Sequence, residues 1–436
     1  MMTSTTKVSP DDTTSTKDFL PVWLSDDHID PSWIAKKIPE FRNVIDATVT
    51  DISNASRKGD KVKNGATLLL DLSFGYDNTS LTYNNKTLVI KQMPPFGLPL
   101  SQHLGLAREA HFFNRLASRI KLQNDRSDGG SIDSTISPCI PKVYYAYGNM
   151  QSGTKFILME DLSCQYIDSG ILFGPGNPNN WDRDLPAKIA AAYPKAKPPS
   201  SYEVANETFL AIAQVHATFW KDTSLLSEDY DWLRGAAWIN GKQEESWKKS
   251  QGVIQEMWKN METTIESRIQ WDPLVKTLTE KAMAGISWEA QRKRLNPSNH
   301  FTLVHGDFWP GNIMISTSDS CDLRLLDWEM VGVGSGPQDL GQYIISNMDP
   351  AERRECEISL IQNYYMELVR LGVELKWEEC WKEYQVGGLE RWLWFLVYFC
   401  AQEGPILMWA QFFHDQVKEF VHDHNIQPGD ITQPRP

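Results

Sequence analysis

Apolar and polar positions divide this chain into a strand-rich first part and a helix-rich second part. Three runs, 44–49, 67–74 and 87–91, carry β-branched and apolar residues and read as strands. Polar, glycine-containing stretches at 51–66 and 75–85 separate them, which suggests an antiparallel sheet joined by turns. Residues 104–120 place Ala107, Ala110, Phe113 (or Phe112), Leu116 and Ile120 near helical period and predict one helix. A polar loop with Asp-Gly-Gly at its centre follows over 122–137, then a strand pair at 143–147 and 155–159 turning at 148–153. The stretch 168–201 is rich in Pro, Gly and Asn without clear periodicity, which marks an ordered insertion or lid and a candidate functional loop.

From Tyr202 onward the period is helical. Ile212, Val215, His216 and Phe219 follow the i, i+3, i+4, i+7 rule, so His216 reads as a core histidine. Further helices are expected over 246–295 and 352–426, with short strands at 301–304, 312–316 and 323–326. No internal repeat is visible. The expectation is an α+β chain with two lobes: an N-lobe over 19–160 and a larger, mostly helical C-lobe over 161–426. The flanking stretches 1–18 and 427–436 read as polar tails, the first of them disordered.

Composition narrows the function classes. Of 436 residues, 23% are charged and 41% hydrophobic, as in an ordinary globular protein. The formal net charge of −13 argues against nucleic acid or an anionic membrane surface as main partner, because both reward clustered Lys and Arg. It is compatible with a cationic small-molecule partner and equally with an acidic surface that keeps the protein soluble. The six cysteines are scattered, with no C-x-x-C and no metal spacing, as in a reduced, cytoplasmic protein. No secretory h-region precedes the first strand, and the longest apolar stretch, 392–401, is too short to span a bilayer. Oligomeric state is not legible.

The chemistry concentrates at His305-Gly306-Asp307-Phe308-Trp309-Pro310-Gly311-Asn312 and Asp327-Trp328-Glu329. Phosphoryl transfer needs a carboxylate to orient the attacking hydroxyl and accept its proton, oxygen ligands for magnesium, and a cation for the nucleotide's charge. Asp307 and Asn312 have the spacing of the Asp and Asn in the kinase loop H-R-D-x-x-x-x-N. Asp327 follows a second short strand, where a kinase places its principal magnesium ligand. His-Gly-Asp alone is common, and a loop Asp often only caps a turn. The full constellation, which continues into Gly336-Pro337-Gln338-Asp339-Leu340, is far more specific.

These residues resemble the aminoglycoside phosphotransferase and choline kinase-like superfamily. Val304 to Asp307 with Gly311 to Met314 is similar to its catalytic loop, and Leu325 to Glu329 to its metal-binding strand end. Arg108 to Phe113 and Met159 to Leu162 are most similar to the eukaryotic ecdysteroid-kinase-like branch. The resemblance implies a protein-kinase-like bilobal fold, an N-lobe antiparallel sheet with a helix over a mostly helical C-lobe, with ATP in the cleft. Carried over residue by residue, it implies Asp307 as catalytic base and Asn312 and Asp327 as magnesium ligands. Lys91 would meet the α/β-phosphates and Glu109 would hold Lys91, although each alone also reads as an ordinary solvated residue. Glu160 to Leu162 would form the hinge that meets adenine. His305 and Asp339 read as structural support for the loop.

Two departures stand out. The nucleotide-covering loop is no clean G-x-G-x-x-G; Asn64-Gly65-Ala66 is the best candidate turn over the phosphates, because small residues let backbone amides approach. Trp328-Glu329 replaces the Phe-Gly of protein kinases, and Glu329 falls near the metal site. The expected activity is ATP- and Mg-dependent transfer of the γ-phosphate to a hydroxyl of a small molecule. The alternative is a nucleotide-binding pseudokinase scaffold without turnover. Protein-kinase activity is disfavoured because no H-R-D, D-F-G or A-P-E is present. Around 377–409, aromatics mix with carboxylates and could hold an ammonium group by cation–π contact. The same spacing, with Leu389, Trp392, Leu393, Leu396 and Cys400 on one face, reads as a buried helix.

Overall fold

The computed structural model describes residues 29–51, 66–74, 86–120, 139–235, 243–285, 288–289, 292, 299–318 and 322–432. The two polar stretches between the first three strands, with Asn64 and Gly65, lie outside these residues, as does the expected tail 1–18.

Five antiparallel strands form the first sheet: β1 (Val44–Asp51), β2 (Ala66–Phe74), β3 (Lys86–Gln92), β4 (Val143–Asn149) and β5 (Thr154–Glu160). Their order is β1-β2-β3-β5-β4. Alternation along β3 decides which side chains meet which neighbour. Leu88 and Ile90 join Leu68, Leu70, Leu72, Phe156 and Leu158 in a core that includes Trp33 and Ile34 of helix α1 (Pro31–Lys37). The opposite parity, Val89 and Lys91, looks the other way. Lys91 pairs directly with Ile157 of β5, and Ile157 and Met159 pack with Ala110 beneath the next helical segment.

That segment is broken where one helix was expected. Helix α2 (Leu98–Leu104) stops because Gly105 turns left-handed, with φ 71°. Helix α3 (Arg108–Arg115) starts afresh, and a separate 3-10 turn covers Ala117–Arg119. The break reorients α3 across the sheet. Gly148 of β4 accommodates it, since a Cβ there would lie 2.5 Å from the Ala107 carbonyl oxygen.

The rest is mostly helical. Helix α4 (Leu185–Ala192) belongs to the insertion, whose 3-10 turn Ser169–Phe173 packs under the catalytic loop: Ser169 Oγ donates to the Pro310 carbonyl at 2.8 Å. The stretch thus buttresses the loop from behind. Helices α5 (Ser201–Thr218), α6 (Glu244–Met261), α7 (Ile265–Arg268) and α8 (Pro273–Ala284) follow. Short strands then carry the motif: β7 (Thr302–Val304) pairs with β10 (Gly332–Gly334), and β8 (Ile313–Ser316) lies between β6 (Tyr166–Asp168) and β9 (Leu323–Leu325). Helices α9 (Pro337–Asn347), α10 (Pro350–Arg370), α11 (Trp377–Cys400) and α12 (Ile406–Asp423) complete the lobe. A short helix, α13 (Pro428–Thr432), occupies part of the stretch read as a tail. This is the α+β, protein-kinase-like two-lobed arrangement, with the strand-rich lobe first.

One helix crossing sets the floor of the C-lobe. Every residue of α9 is buried, and α11 crosses it at Gly341 and Gly388. A Cβ on Gly388 would lie 2.4 Å from the Gly341 carbonyl carbon, which is backbone and cannot rotate away. Ala exceeds Gly in helix propensity by about 0.8–1 kcal/mol, whereas overpacking costs about 1–3 kcal/mol. Gly388→Ala is therefore expected to lower unfolding free energy by about 1–2 kcal/mol in urea titration. A neutral or stabilised variant would contradict the crossing.

Candidate active site

The loop expected to be catalytic runs from β7 to β8, and hydrogen bonds hold His305, Gly306, Asp307 and Asn312 in place. His305 is fully buried. Its Nε2 lies 2.8 Å from the Leu326 carbonyl, and its Nδ1 accepts from the Asp307 amide at 3.3 Å. Burial pushes its imidazole below the usual range, against the pull of Asp339 and Asp307, and the neutral tautomer satisfies both contacts. Asp339, on α9, accepts from the His305 amide at 2.7 Å and the Gly306 amide at 3.2 Å. Behind it His216 Nε2 stands 3.3 Å from Asp339, and His216 Nδ1 lies 2.8 Å from the Tyr364 hydroxyl. Gly306, at φ 76°, passes so close to the Met330 carbonyl that a Cβ would sit 2.2 Å from it. Only glycine fits both demands.

Asp307 leaves this frame half-exposed, at 28%. Asn312 Nδ2 donates to the Asp307 carbonyl at 2.8 Å and to its Oδ2 at 3.0 Å, which leaves the Asn312 amide oxygen as the atom available to coordinate. The Asn312 carbonyl accepts from the Leu326 amide at 2.8 Å, so the β8–β9 pairing brings Asn312 next to Asp327. Asp327 is left-handed, with φ 61° and ψ 59°, a strained state for a side chain with a Cβ. After it, Trp328 is fully buried and stacks on Phe112 of α3 with ring centres 4.1 Å apart. That contact ties the helix of the sheet lobe to the catalytic loop.

A charge cluster fills the space between them. Lys91 Nζ lies 2.8 Å from Glu109, 2.8 Å from Asp327 and 3.2 Å from Glu329. Burial opposes its charge, but the three carboxylates win and hold Lys91 well above the ordinary lysine range. Lys155 of β5 contacts Glu109 at 2.9 Å and also pairs with Glu329. Glu109 and Lys155 are each only 1% exposed. Arg108 lies beneath, donating to the carbonyls of Trp232 at 2.6 Å, Glu329 at 2.8 Å and Leu104 at 3.3 Å.

The structure thus brings Lys91, Glu109 and Asp327 together in one group, and Asp307 and Asn312 in another joined to it through β8 and β9. At the end of β5, Glu160 accepts from the Lys142 amide at 2.8 Å, and Leu162 is buried. Asn64 and Gly65 fall outside the described residues.

Four further residues enter that sequence reasoning had not placed among the site residues. Lys155 was legible in principle, since it lies two positions before Ile157 and so shares the face of Lys91. Glu329 completes a set of three carboxylates, with Glu109 and Asp327, whose oxygens lie within 4.8 Å of one another. Arg391 of α11 reaches Asp307 Oδ1 with Nη2 at 2.8 Å, and Gln342 of α9 reaches the same oxygen at 3.5 Å. The Gly387-Gly388 pair before Arg391 signalled a close helix approach, but only the crossing aims its guanidinium.

Residues 197–377 match the ecdysteroid kinase-like family. Among solved structures, an aminoglycoside phosphotransferase in complex with GDP is 9% identical, with TM-score 0.47, covering 87% of this chain and 94% of its own. A choline/ethanolamine kinase family protein from Mesorhizobium loti is 11% identical (TM-score 0.42; 83% and 89%). Choline kinase from Streptococcus pneumoniae is 11% identical (TM-score 0.40; 89% and 98%). No curated protein matches at the level of sequence.

Removing Lys155 leaves Glu109 deeply buried with less compensation, and breaking a buried pair costs about 3–5 kcal/mol. Lys91 still serves both carboxylates, so Lys155→Met is expected to cost about 3 kcal/mol, at the lower end of that range. Lys91→Met, at a position 22% exposed, is expected to cost less. Chemical denaturation of both variants checks the order, and the reverse order would refute this account of the cluster.

Proposed function

We propose that this chain, a kinase-like protein whose residues 197–377 match the ecdysteroid kinase-like family, transfers the γ-phosphoryl group of ATP to a hydroxyl of a small molecule. The observation that carries the reading is the convergence of Asp307, Asn312 and Asp327 beside the Lys91–Glu109 pair. Asp307 orients the hydroxyl and accepts its proton as the new oxygen–phosphorus bond forms and the bond to the ADP oxygen breaks. Lys91, held by Glu109, serves the nucleotide's phosphates, and residues 160–162 at the end of β5 meet the adenine. Asn64 and Gly65 are candidates for the turn over the phosphates.

The donor set suits magnesium, a hard cation that takes oxygen ligands. Asp327 and the Asn312 amide oxygen would hold it, with Glu329 adjacent. Bound there, magnesium supplies charge neutralisation for the phosphates. Lys91, which lies among the same carboxylates, is the cation that would meet the nucleotide's phosphates.

The aromatic stretch of α11 no longer supports an ammonium site. Trp392 and Trp394 are buried, and Trp392 stacks on Phe413 at 4.4 Å. The acidic balance of the chain alone supports a cationic acceptor. One contact favours the scaffold reading: the ion pair from Arg391 occupies Asp307 Oδ1, an oxygen that the acceptor hydroxyl would need.

Turnover separates the two. Asp307→Asn keeps the shape and removes the base, and should lower acceptor phosphorylation by about 10²–10⁴-fold while leaving the thermal shift with ATP and magnesium intact. Undiminished turnover by that variant would sink the mechanism. Nucleotide binding by the parent without phosphorylation of any alcohol in a broad metabolite panel would favour the scaffold.

A further inference from the structure

Arg234 lies beside β10, where its amide donates to the Val331 carbonyl and its carbonyl accepts from the Val333 amide. It is 2% exposed. One guanidinium nitrogen, Nη2, donates to the Leu104 carbonyl at 3.2 Å. The other two, Nε and Nη1, are buried with no hydrogen-bond partner among the described residues. Leaving buried donors of a charged group unmet is costly, and native chains do so rarely. The surroundings deepen the problem. Burial and the nearby Arg108 and Arg391 disfavour a charge on Arg234, while Asp307 and Glu329 favour it.

The charge balance of the cleft points the same way. Glu109, Asp307, Asp327 and Glu329, with the buried Asp339 behind the loop, face Lys91, Lys155, Arg108, Arg234 and Arg391. The first two cations are absorbed by the carboxylates around Lys91. Arg391, itself 1% exposed, donates to the half-exposed Asp307 in an ion pair, and Arg234 reaches no carboxylate among the described residues. Asp339 is engaged by the His305 and Gly306 amides, so the guanidinium left without a carboxylate among the described residues, Arg234, lies on the side of Asp307, where the acceptor's hydroxyl is placed.

We propose that Arg234 and Arg391 form an oxyanion subsite beside Asp307, and that the acceptor of this kinase is an alcohol that also carries an anionic group, a carboxylate or a phosphate or sulfate ester. The inference rests on the kinase reading above and names its substrate class. The acceptor's oxyanion satisfies the unmet donors of Arg234 and draws Arg391 from Asp307 Oδ1, which frees that oxygen for the hydroxyl proton. Binding of the right acceptor thus unmasks the base, and ATP without an acceptor meets a base still engaged.

Matched acceptors test this. Each set shares one carbon skeleton and carries a hydroxyl with a neutral, amino, carboxylate, phosphate-ester or sulfate-ester group. Binding is read by calorimetry on the full chain with a non-hydrolysable ATP analogue and magnesium, and turnover is read separately with ATP. The expected result is that one anionic series binds and reacts best, and the arms show which oxyanion it is. Arg234→Met should weaken that series by about tenfold or more, the scale of losing a charge-assisted bond, and leave neutral alcohols unaffected. Because the substitution removes an unpaired buried charge, the variant should melt no lower than the parent, so lost binding is not lost folding. Arg391→Gln should weaken calorimetric binding of the same anionic series, while its turnover of neutral alcohols should rise, because Asp307 Oδ1 is then free.

Equal or better use of neutral or amino alcohols by the parent would overturn the subsite while leaving the kinase reading intact. So would an equal loss by Arg234→Met across all acceptors together with a raised KM for ATP, which would assign the guanidinium to the transferred phosphate. Anion-selective binding without any turnover would uphold the subsite and remove the kinase reading instead.

Discussion

The structure depends on a buried ion cluster that cannot be half-built. Glu109 and Lys155 are almost wholly removed from water, and neither charge is tolerable there alone. Lys91, Asp327 and Glu329 complete the set, and the five residues come from β3, α3, β5 and the turn after β9. Docking the sheet lobe on the helical lobe is therefore the same event as assembling this cluster. Trp328 adds an apolar counterpart by stacking on Phe112 directly behind the cluster.

A second constraint works from below. The Gly341–Gly388 contact lets α11 lie against α9 at backbone distance, and α9 carries both Asp339 and Gln342. Asp339 fixes the amides of His305 and Gly306, and His216 and Tyr364 fix Asp339. Asp307 is thus positioned by its backbone, while its carboxylate stays half-exposed with Arg391 on one oxygen and Asn312 on the other. The strain of the left-handed Asp327 sits between these two supports, where the surrounding contacts over-determine its conformation.

The two constraints differ in their electrostatic balance. Around Lys91 cations and carboxylates interleave, so the region is close to neutral. Around Asp307, Arg391 takes one carboxylate oxygen, and Arg234 reaches no carboxylate among the described residues. That asymmetry is invisible in the net charge of −13, which describes the surface rather than the cleft.

Strand and helix content was largely legible, because period-two and period-3.6 patterns follow from backbone geometry alone. The runs at 87–91 and 155–159 matched strands, and the motif from His305 to Asn312 lay on the loop expected for it. The helix expected over 104–120 is shorter, Arg108–Arg115 with a 3-10 turn at Ala117–Arg119, and Gly105 before it has a local conformation that apolar spacing does not encode. Sequence by itself determined the lobe order, the strand parity that turns Lys91 toward α3, and the spacing of Asp307, Asn312 and Asp327. Tertiary structure alone decided that Lys155 and Glu329 join Lys91, that Arg391 reaches Asp307 from 84 residues away, and that Arg234 keeps two donors unmet. The reason is physical: a side chain's face is set by its own strand or helix, but its partner is set by how elements distant in sequence pack, and electrostatic pairing is settled only after that packing exists.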